Sequence, residues 1–466
     1  MTRTGNGSSA VTAAVPAGTP SPVDGDPDLN AGRGPDGSDG LPRPGLDAGD
    51  DAPGPSRDVP DDAPGPPAGL YVHVPFCVSV CPYCDFVVLG GASTRGPTNR
   101  IATFTAALSR ELELRADVLD ARWGRTRPPL RSLYLGGGTP SLLPPRDVAG
   151  LVDLVASRYG LAPDVEVTLE ANPGPDERGA ASDWVAAGVT RISFGAQALD
   201  DTLLARLGRR HRAADVALAV AEARAAGVAS INLDLLYDAP ADTEAAWAAT
   251  LEAALRLAPD HLSLYALTLD DPDAEGLTGP GGDHLPVSRG ARAWRTRARA
   301  DQDEDRAAAM YEVAMDRLRV EGFDGYEISN WARPGHESRH NLAYWERLPV
   351  DAAGPGAHAF DGLERRWTAA RLDAYLEALT PIGGGPGRLP PGATEAVTRS
   401  GAATERVILG LRLGRGVPGT MAARPPLSEH VAWARDAGLV ADAPGDRLVL
   451  TTRGRLLSNE LFARLV

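Results

Sequence analysis

Every cysteine of this 466-residue chain lies in one short stretch, Tyr71 to Phe86, which reads YVHVPFCVSVCPYCDF. Cys77, Cys81 and Cys84 form a Cys-x3-Cys-x2-Cys array. Three soft thiolates in one loop suit an iron–sulfur cluster or a soft metal. On a four-iron cube, three protein ligands leave one iron with an open position, which serves a ligand and not a sealed electron store. The plainer alternative is structural zinc, which wants a fourth protein ligand, and His73 is the nearest candidate. One buried helical face would also give this spacing, but Pro75 and Pro82 indicate an irregular loop.

The elements that must carry this loop begin at Gly69, where short runs rich in Val, Ile and Leu alternate with amphipathic segments of helical period. Six strands are expected at Tyr71–Val74, Ser132–Leu135, Val165–Glu170, Arg191–Phe194, Ser230–Leu235 and His261–Leu267. Helices are expected near 99–118, 145–158, 176–187, 212–226 and 243–257. Repeated βα units imply a parallel sheet with its chemistry at the carboxyl ends of the strands. The notable side chains fall there. The cysteine loop follows the first strand, and Gly136, Gly137, Gly138, Thr139 and Pro140 follow the second. Such small residues let backbone N–H groups approach a ligand carboxylate. Glu170 ends the third strand, Gln197 follows the fourth with Arg209 beyond it, and Asp234 sits in the fifth. Singly, each reads as a sheet-end polar residue. Together they put polar groups on one rim.

Composition removes several classes of function. A net charge of −15 argues against nucleic acid or an anionic membrane as main partner. No apolar run approaches a membrane span, no signal-peptide core is present, and sparse cysteine fits a reducing cytoplasm. The chain contains no lysine, so Schiff-base chemistry, pyridoxal phosphate attachment and a P-loop lysine are excluded. Residues 1–68 are rich in Gly, Pro, Asp, Ala and Ser and are expected to be a disordered tail. Two folded parts are expected after it, a core over 69–300 and a second domain over 301–466. In the second, helices are expected at Asp303–Leu318 and Ala402–Leu413. Residues 427–464 read as helix, strand at Arg447–Leu450, and helix, a small winged-helix-like unit. The arginine-rich stretch Arg289 to Arg299 reads as a solvated surface helix or loop, with a propionate-binding patch as the second reading.

Taken together, YVHVPF before the cysteines, YLGGGTPSLL, EVTLEANPG, RISFGAQALDD and INLDLL resemble the radical S-adenosylmethionine proteins of the oxygen-independent coproporphyrinogen III oxidase group. The likeness continues through YEISNWARPGHESRHNLAYW, GPGAHAF and LTTRGRLLSNELF. It implies an α/β fold, an incomplete (βα)6 barrel with a mainly helical, winged-helix-like accessory domain. It also implies a [4Fe–4S] cluster on Cys77, Cys81 and Cys84 and S-adenosylmethionine on its free iron. Tyr71 and Tyr83 would then flank cluster and cofactor, and Gly137, Gly138 and Thr139 would line the methionine end. Glu170, Gln197, Arg209 and Asp234 would meet its charged and ribose groups.

Oxidases of the group are expected to carry a further cysteine two residues after the third, where this chain has Phe86. That departure, with the RHNLAYW segment, resembles the heme chaperone branch, which implies heme as cargo and a heme-accepting protein as partner. The competing readings are a radical oxidase decarboxylating porphyrinogen propionates and a zinc-stabilised module. Among the histidines, His340 and His358 remain as heme ligands. RHNLAYW favours His340, with Tyr344 and Trp345 against the macrocycle and Arg339 on a propionate. The plainer reading of His340 is a histidine hydrogen-bonded within an interface. Three departures from the group stand out: Asp238-Ala239-Pro240 replaces Gly-Leu-Pro, VDAA precedes GPGAH where a glycine-containing loop is expected, and residues 270–303 have no counterpart.

Overall fold

The computed structural model describes residues 63–96, 98–381, 387–424 and 427–466. The expected tail therefore lies outside the described residues up to position 62. Its last residues belong to the fold: Pro67 is buried, the Gly65 N–H donates to the Asp361 carbonyl, and the Ala68 N–H donates to that of Pro349.

Six parallel strands run in chain order: β1 (Gly69–Val74), β2 (Leu130–Gly137), β3 (Leu161–Ala171), β4 (Arg191–Gln197), β5 (Ser230–Tyr237) and β6 (His261–Ala266). The connecting helices are α1 (Ile101–Trp123), α2 (Pro145–Arg158), α3 (Ala181–Ala186), α4 (Asp201–Arg206), α5 (Ala213–Ala225) and α6 (Glu244–Arg256). Only α4 has no counterpart among the expected helices. The strands alternate in character. Leu70, Val72, Leu133, Leu135, Val167, Leu169, Ile192, Phe194, Ile231, Leu233, Leu262 and Leu264 are all buried in one apolar core with the helices. The intervening positions are Tyr71, His73, Tyr134, Glu170, Arg191, Ser193, Asn232, Asp234, His261 and Ser263. Strand residues of opposite parity face opposite sides, so the second face is a polar lining and not a packed apolar centre.

The sheet does not close on itself. After α7 (Arg289–Arg299) and α8 (Glu304–Val320), β7 (Asn330–Ala332) adds antiparallel to β6. After α9 (Arg339–Trp345), β8 (Val350–Ala353) adds parallel to β1. Both edges of the six-stranded run are thus taken by other strands. The sheet then continues through β9 (His358–Phe360), β10 (Glu364–Thr368) and, after α10 (Leu372–Leu379), β11 (Gly392–Ala396). The VDAA expected as a loop is β8, and its Ala352 and Ala353 are fully buried. Met310, Tyr311, Ala314 and Leu318 of α8 sit in the same core as the six strands, so apolar packing runs across position 300. The departure at Asp238 has a physical basis: its φ is +54°, the left-handed region that glycine or Asp tolerates, and Arg306 of α8 donates to its carboxylate at 2.7 Å.

A second core belongs to α11 (Arg399–Arg412), β12 (Val417–Pro418), α12 (Gly419–Ala422), α13 (Leu427–Asp436), β13 (Val440–Ala443), β14 (Arg447–Leu450) and, after α14 (Thr452–Leu456), α15 (Ser458–Leu465). The small antiparallel sheet β12-β14-β13 among these helices is the winged-helix-like unit read from the sequence. Among the described residues no helix is long and apolar enough to cross a membrane.

Candidate functional site

The three thiols lie on the loop leaving the carboxyl end of β1. This loop is pinned at both ends, by Cys77 N–H donating to the Leu89 carbonyl at 2.9 Å and by Thr94 Oγ1 donating to the Cys77 carbonyl at 2.9 Å. Two sulfurs have donors. Thr139 Oγ1 lies 3.6 Å from Cys77 Sγ, and Arg209 Nη1 lies 3.3 Å from Cys81 Sγ. Burial pushes the Cys77 thiol up to about 12 and raises Cys84 as well. These sulfurs ionise only against strong positive charge, and iron coordination provides it, since a coordinating thiol is deprotonated outright. The donor set therefore fits an iron–sulfur cluster. His73 does not serve as a fourth ligand for zinc. Its Nε2 bonds the Val87 carbonyl at 2.8 Å and its Nδ1 the Tyr71 hydroxyl at 3.0 Å.

The glycine run at the carboxyl end of β2 plays a different part from the expected one. The Gly137 N–H donates to Glu170 Oε2 at 2.9 Å, Gly138 N–H to the Val74 carbonyl at 2.8 Å, and Thr139 N–H to the Phe76 carbonyl at 2.8 Å. These N–H groups are consumed inside the protein and do not point at a ligand carboxylate. Close approach explains the residue type. A Cβ at Gly138 would stand 2.6 Å from the Phe76 carbonyl oxygen, and one at Gly137, whose φ is +107°, 2.4 Å from the His73 ring.

Glu170 also accepts from the Tyr134 hydroxyl at 2.8 Å. Burial, then the charge of Asp234, pushes its carboxyl up to about 7. Asp234 accepts from Ser193 Oγ at 3.0 Å and Asn232 Nδ2 at 2.8 Å, and burial raises it too. Arg209 donates to the Gly195 carbonyl at 2.9 Å and to Asn172, while its Nε, like that of Arg191, is buried with no hydrogen-bond partner among the described residues. Gln197 ends β4 with φ +65°, where the register of β4 and β5 shifts. Two carboxylates and two incompletely bonded guanidiniums lining one polar interior suit a zwitterionic ligand such as S-adenosylmethionine.

His340 does not meet its expectation as a heme ligand. It is 1% exposed, and both ring nitrogens are engaged, Nδ1 with Ser132 Oγ at 2.9 Å and Nε2 with the Tyr344 hydroxyl at 3.0 Å. Its ring lies against Tyr134 and Tyr71, with centroids 5.1 and 6.2 Å away, towards the amino ends of β1 and β2. Arg339 pairs with Asp164 at 2.7 Å. RHNLAYW is thus an interface that seats α9 on the barrel.

The sequence reading missed Arg295. Of the arginines on α7 it is the one turned inward, its side chain 3% exposed. Nε donates to the Pro82 carbonyl and Nη2 to that of Cys84, both at 3.0 Å, Nη1 donates to the Asp270 carbonyl, and Nη2 pairs with Asp85 at 2.6 Å. Trp294 beside it packs on Tyr83, with ring centroids 6.2 Å apart. The stretch expected to be solvated is a clamp on the cysteine loop. Its available signal was a tryptophan inside an otherwise polar helix.

The Radical SAM superfamily model matches residues 71–254. The chain is 38% identical to the heme chaperone HemW of Mycobacterium tuberculosis over 86% of this chain and 95% of that one. To HemW of Synechocystis it is 32% identical, over 75% and 79%. Among solved structures, coproporphyrinogen III oxidase (HemN) from Escherichia coli, a radical SAM enzyme, superposes with a TM-score of 0.70 at 20% identity, over 87% of this chain and 91% of that one. At that identity the likeness speaks for the fold, the open α/β barrel with its accessory domain.

Proposed function

Since the chain belongs to the HemW family of radical S-adenosylmethionine proteins, we propose that it is a heme chaperone, holding heme and passing it to an acceptor protein. Cys77, Cys81 and Cys84 would hold a [4Fe–4S] cluster, and Glu170, Gln197, Arg209 and Asp234 would meet S-adenosylmethionine, with Tyr71, Tyr83, Gly137, Gly138 and Thr139 around them. When bound, the cluster supplies one-electron chemistry and an iron with a free coordination position. The chain's own residues set its surroundings. Thr139 and Arg209 place hydrogen-bond donors on two sulfurs, and such bonds tune cluster potential. Arg295 fixes the loop carbonyls.

One observation supports the chaperone reading over the oxidase reading within this group. The second residue after Cys84 is Phe86, 51% exposed, where a further cysteine is expected for decarboxylating enzymes. An exposed phenyl group offers apolar contact to a macrocycle and no thiol chemistry. The test is anaerobic reconstitution followed by two assays. The loaded protein is expected to transfer heme to a heme-free acceptor and to give no protoporphyrinogen IX from coproporphyrinogen III. Product formed over multiple turnovers would move the chain to the oxidase reading.

A further inference from the structure

A group of side chains near the cysteine loop remains unassigned. Asp283 bridges two histidines, its Oδ1 lying 3.1 Å from His284 Nδ1 and its Oδ2 2.8 Å from His358 Nε2. An ionised carboxylate only accepts, so each histidine donates from the nitrogen facing it. In the neutral rings this leaves His284 Nε2 and His358 Nδ1 with the lone pairs. The side chains of His284 and His358 are 23% and 34% exposed and that of Asp283 only 14%, so the imidazoles reach solvent and the carboxylate between them is sheltered.

An imidazole that gives its Nδ1–H to a carboxylate and keeps Nε2 free is the arrangement of a metal-ligating histidine. Among the described residues no three His, Cys, Asp or Glu groups converge to hold a metal ion. A bare ion usually asks for three or four such donors. An iron that brings four porphyrin nitrogens asks for one or two. The carboxylates of Asp85 and Glu275 also lie near His284, and flat apolar contact comes from the His358 side. The His358 ring stacks on Trp367, centroids 6.0 Å apart and planes inclined by 19°. Exposed Phe86 lies on the same rim, because Val87 after it closes on Gly356, where a Cβ would meet Val87 at 2.5 Å and the Asp283 carbonyl at 3.2 Å.

Resting on the heme-chaperone reading, we propose that His284 is an axial ligand of the heme iron, with Asp283 as its positioning residue and His358 holding Asp283 from the other side. The experiment is heme titration of the anaerobically reconstituted full chain, reading affinity, the Soret band and the ferric electron spin resonance signal. His284→Ala is expected to lose at least tenfold in affinity and to shift the Soret band, with added imidazole restoring the wild-type spectrum. Asp283→Asn is expected to keep heme but change the g values, as loss of an orienting partner requires. Wild-type affinity and spectrum in His284→Ala would overturn the assignment while leaving the chaperone reading intact. So would equal loss in the three variants His284→Ala, Asp283→Asn and His358→Ala without imidazole rescue. Failure of the wild-type protein to bind heme would overturn both.

Discussion

Replacing Arg295 by Met keeps the length and apolar stem of the side chain and removes its guanidinium. Three backbone carbonyls, of Pro82, Cys84 and Asp270, then lose their donor, and the Asp85 carboxylate loses its cation. Truncating one partner of a buried, hydrogen-bonded charge pair costs about 3–5 kcal/mol. The lower end applies here because Asp85 is 21% exposed and gains water in exchange. A loss of about 3 kcal/mol corresponds to roughly a hundredfold shift in the equilibrium between closed and open loop. That loss falls on residues 82–85, next to two of the three thiols. The measurement is amide hydrogen exchange across 82–86 together with iron and sulfide per chain after anaerobic reconstitution. Exchange is expected to quicken by about two orders of magnitude and iron content to fall. Arg295→Lys is expected to fall between, since an ammonium keeps the charge but does not span three carbonyls with a fixed fork. Wild-type exchange and full iron content in Arg295→Met would refute the clamp.

Two further outcomes follow from buried groups. Glu170 titrates near 7 when folded, well above its unfolded value, so the folded state gains from its protonation. The resulting stability is fully present below the unfolded carboxyl range and is lost as pH rises through about 7, by an amount on the order of 3 kcal/mol. Urea unfolding of the cofactor-free protein from pH 4.5 to 8 is expected to show this decline and Glu170→Gln to flatten it; an identical slope in both would count against it. His340→Ala removes a buried ring bonded at both nitrogens and is expected to cost about 2–4 kcal/mol, read as a lower urea midpoint, while heme affinity stays at the wild-type level. Loss of heme binding at unchanged stability would return His340 to the iron.

How much of this was legible follows from which residues act locally. The cysteine array, the six strands and the places of Glu170 and Gln197 at the ends of β3 and β4, with Asp234 inside β5, are written in neighbouring residues, where spacing and apolar runs carry the information. The polar inner face was also present, in the alternation that sets Tyr71 and His73 between Leu70, Val72 and Val74. Isolated polar residues inside an apolar run carry no sign of being a shared face until neighbouring strands align them. Arg295 and the Asp283 bridge were not legible because a partner of each lies far away in sequence: 213 residues separate Arg295 from Pro82, and only folding brings His358 to the carboxylate beside His284. His340 misled for the same reason. A histidine beside Tyr344 and Trp345 reads as a ligand until Ser132, 208 residues earlier, takes its Nδ1.

The pairing of β1 with β8 also sets a clock. Gly69 leaves the ribosome about 280 residues before Val350, the residue that pairs with it. At roughly 5–20 residues per second, the outer edge of the cysteine-bearing strand stays open for some tens of seconds during synthesis. The α7 clamp arrives only shortly before that partner. Until then the thiol loop is held only by its nearer partners, Leu89, Thr94 and the turn after β2, and the Arg295 that fastens its far side follows Cys84 by 211 residues.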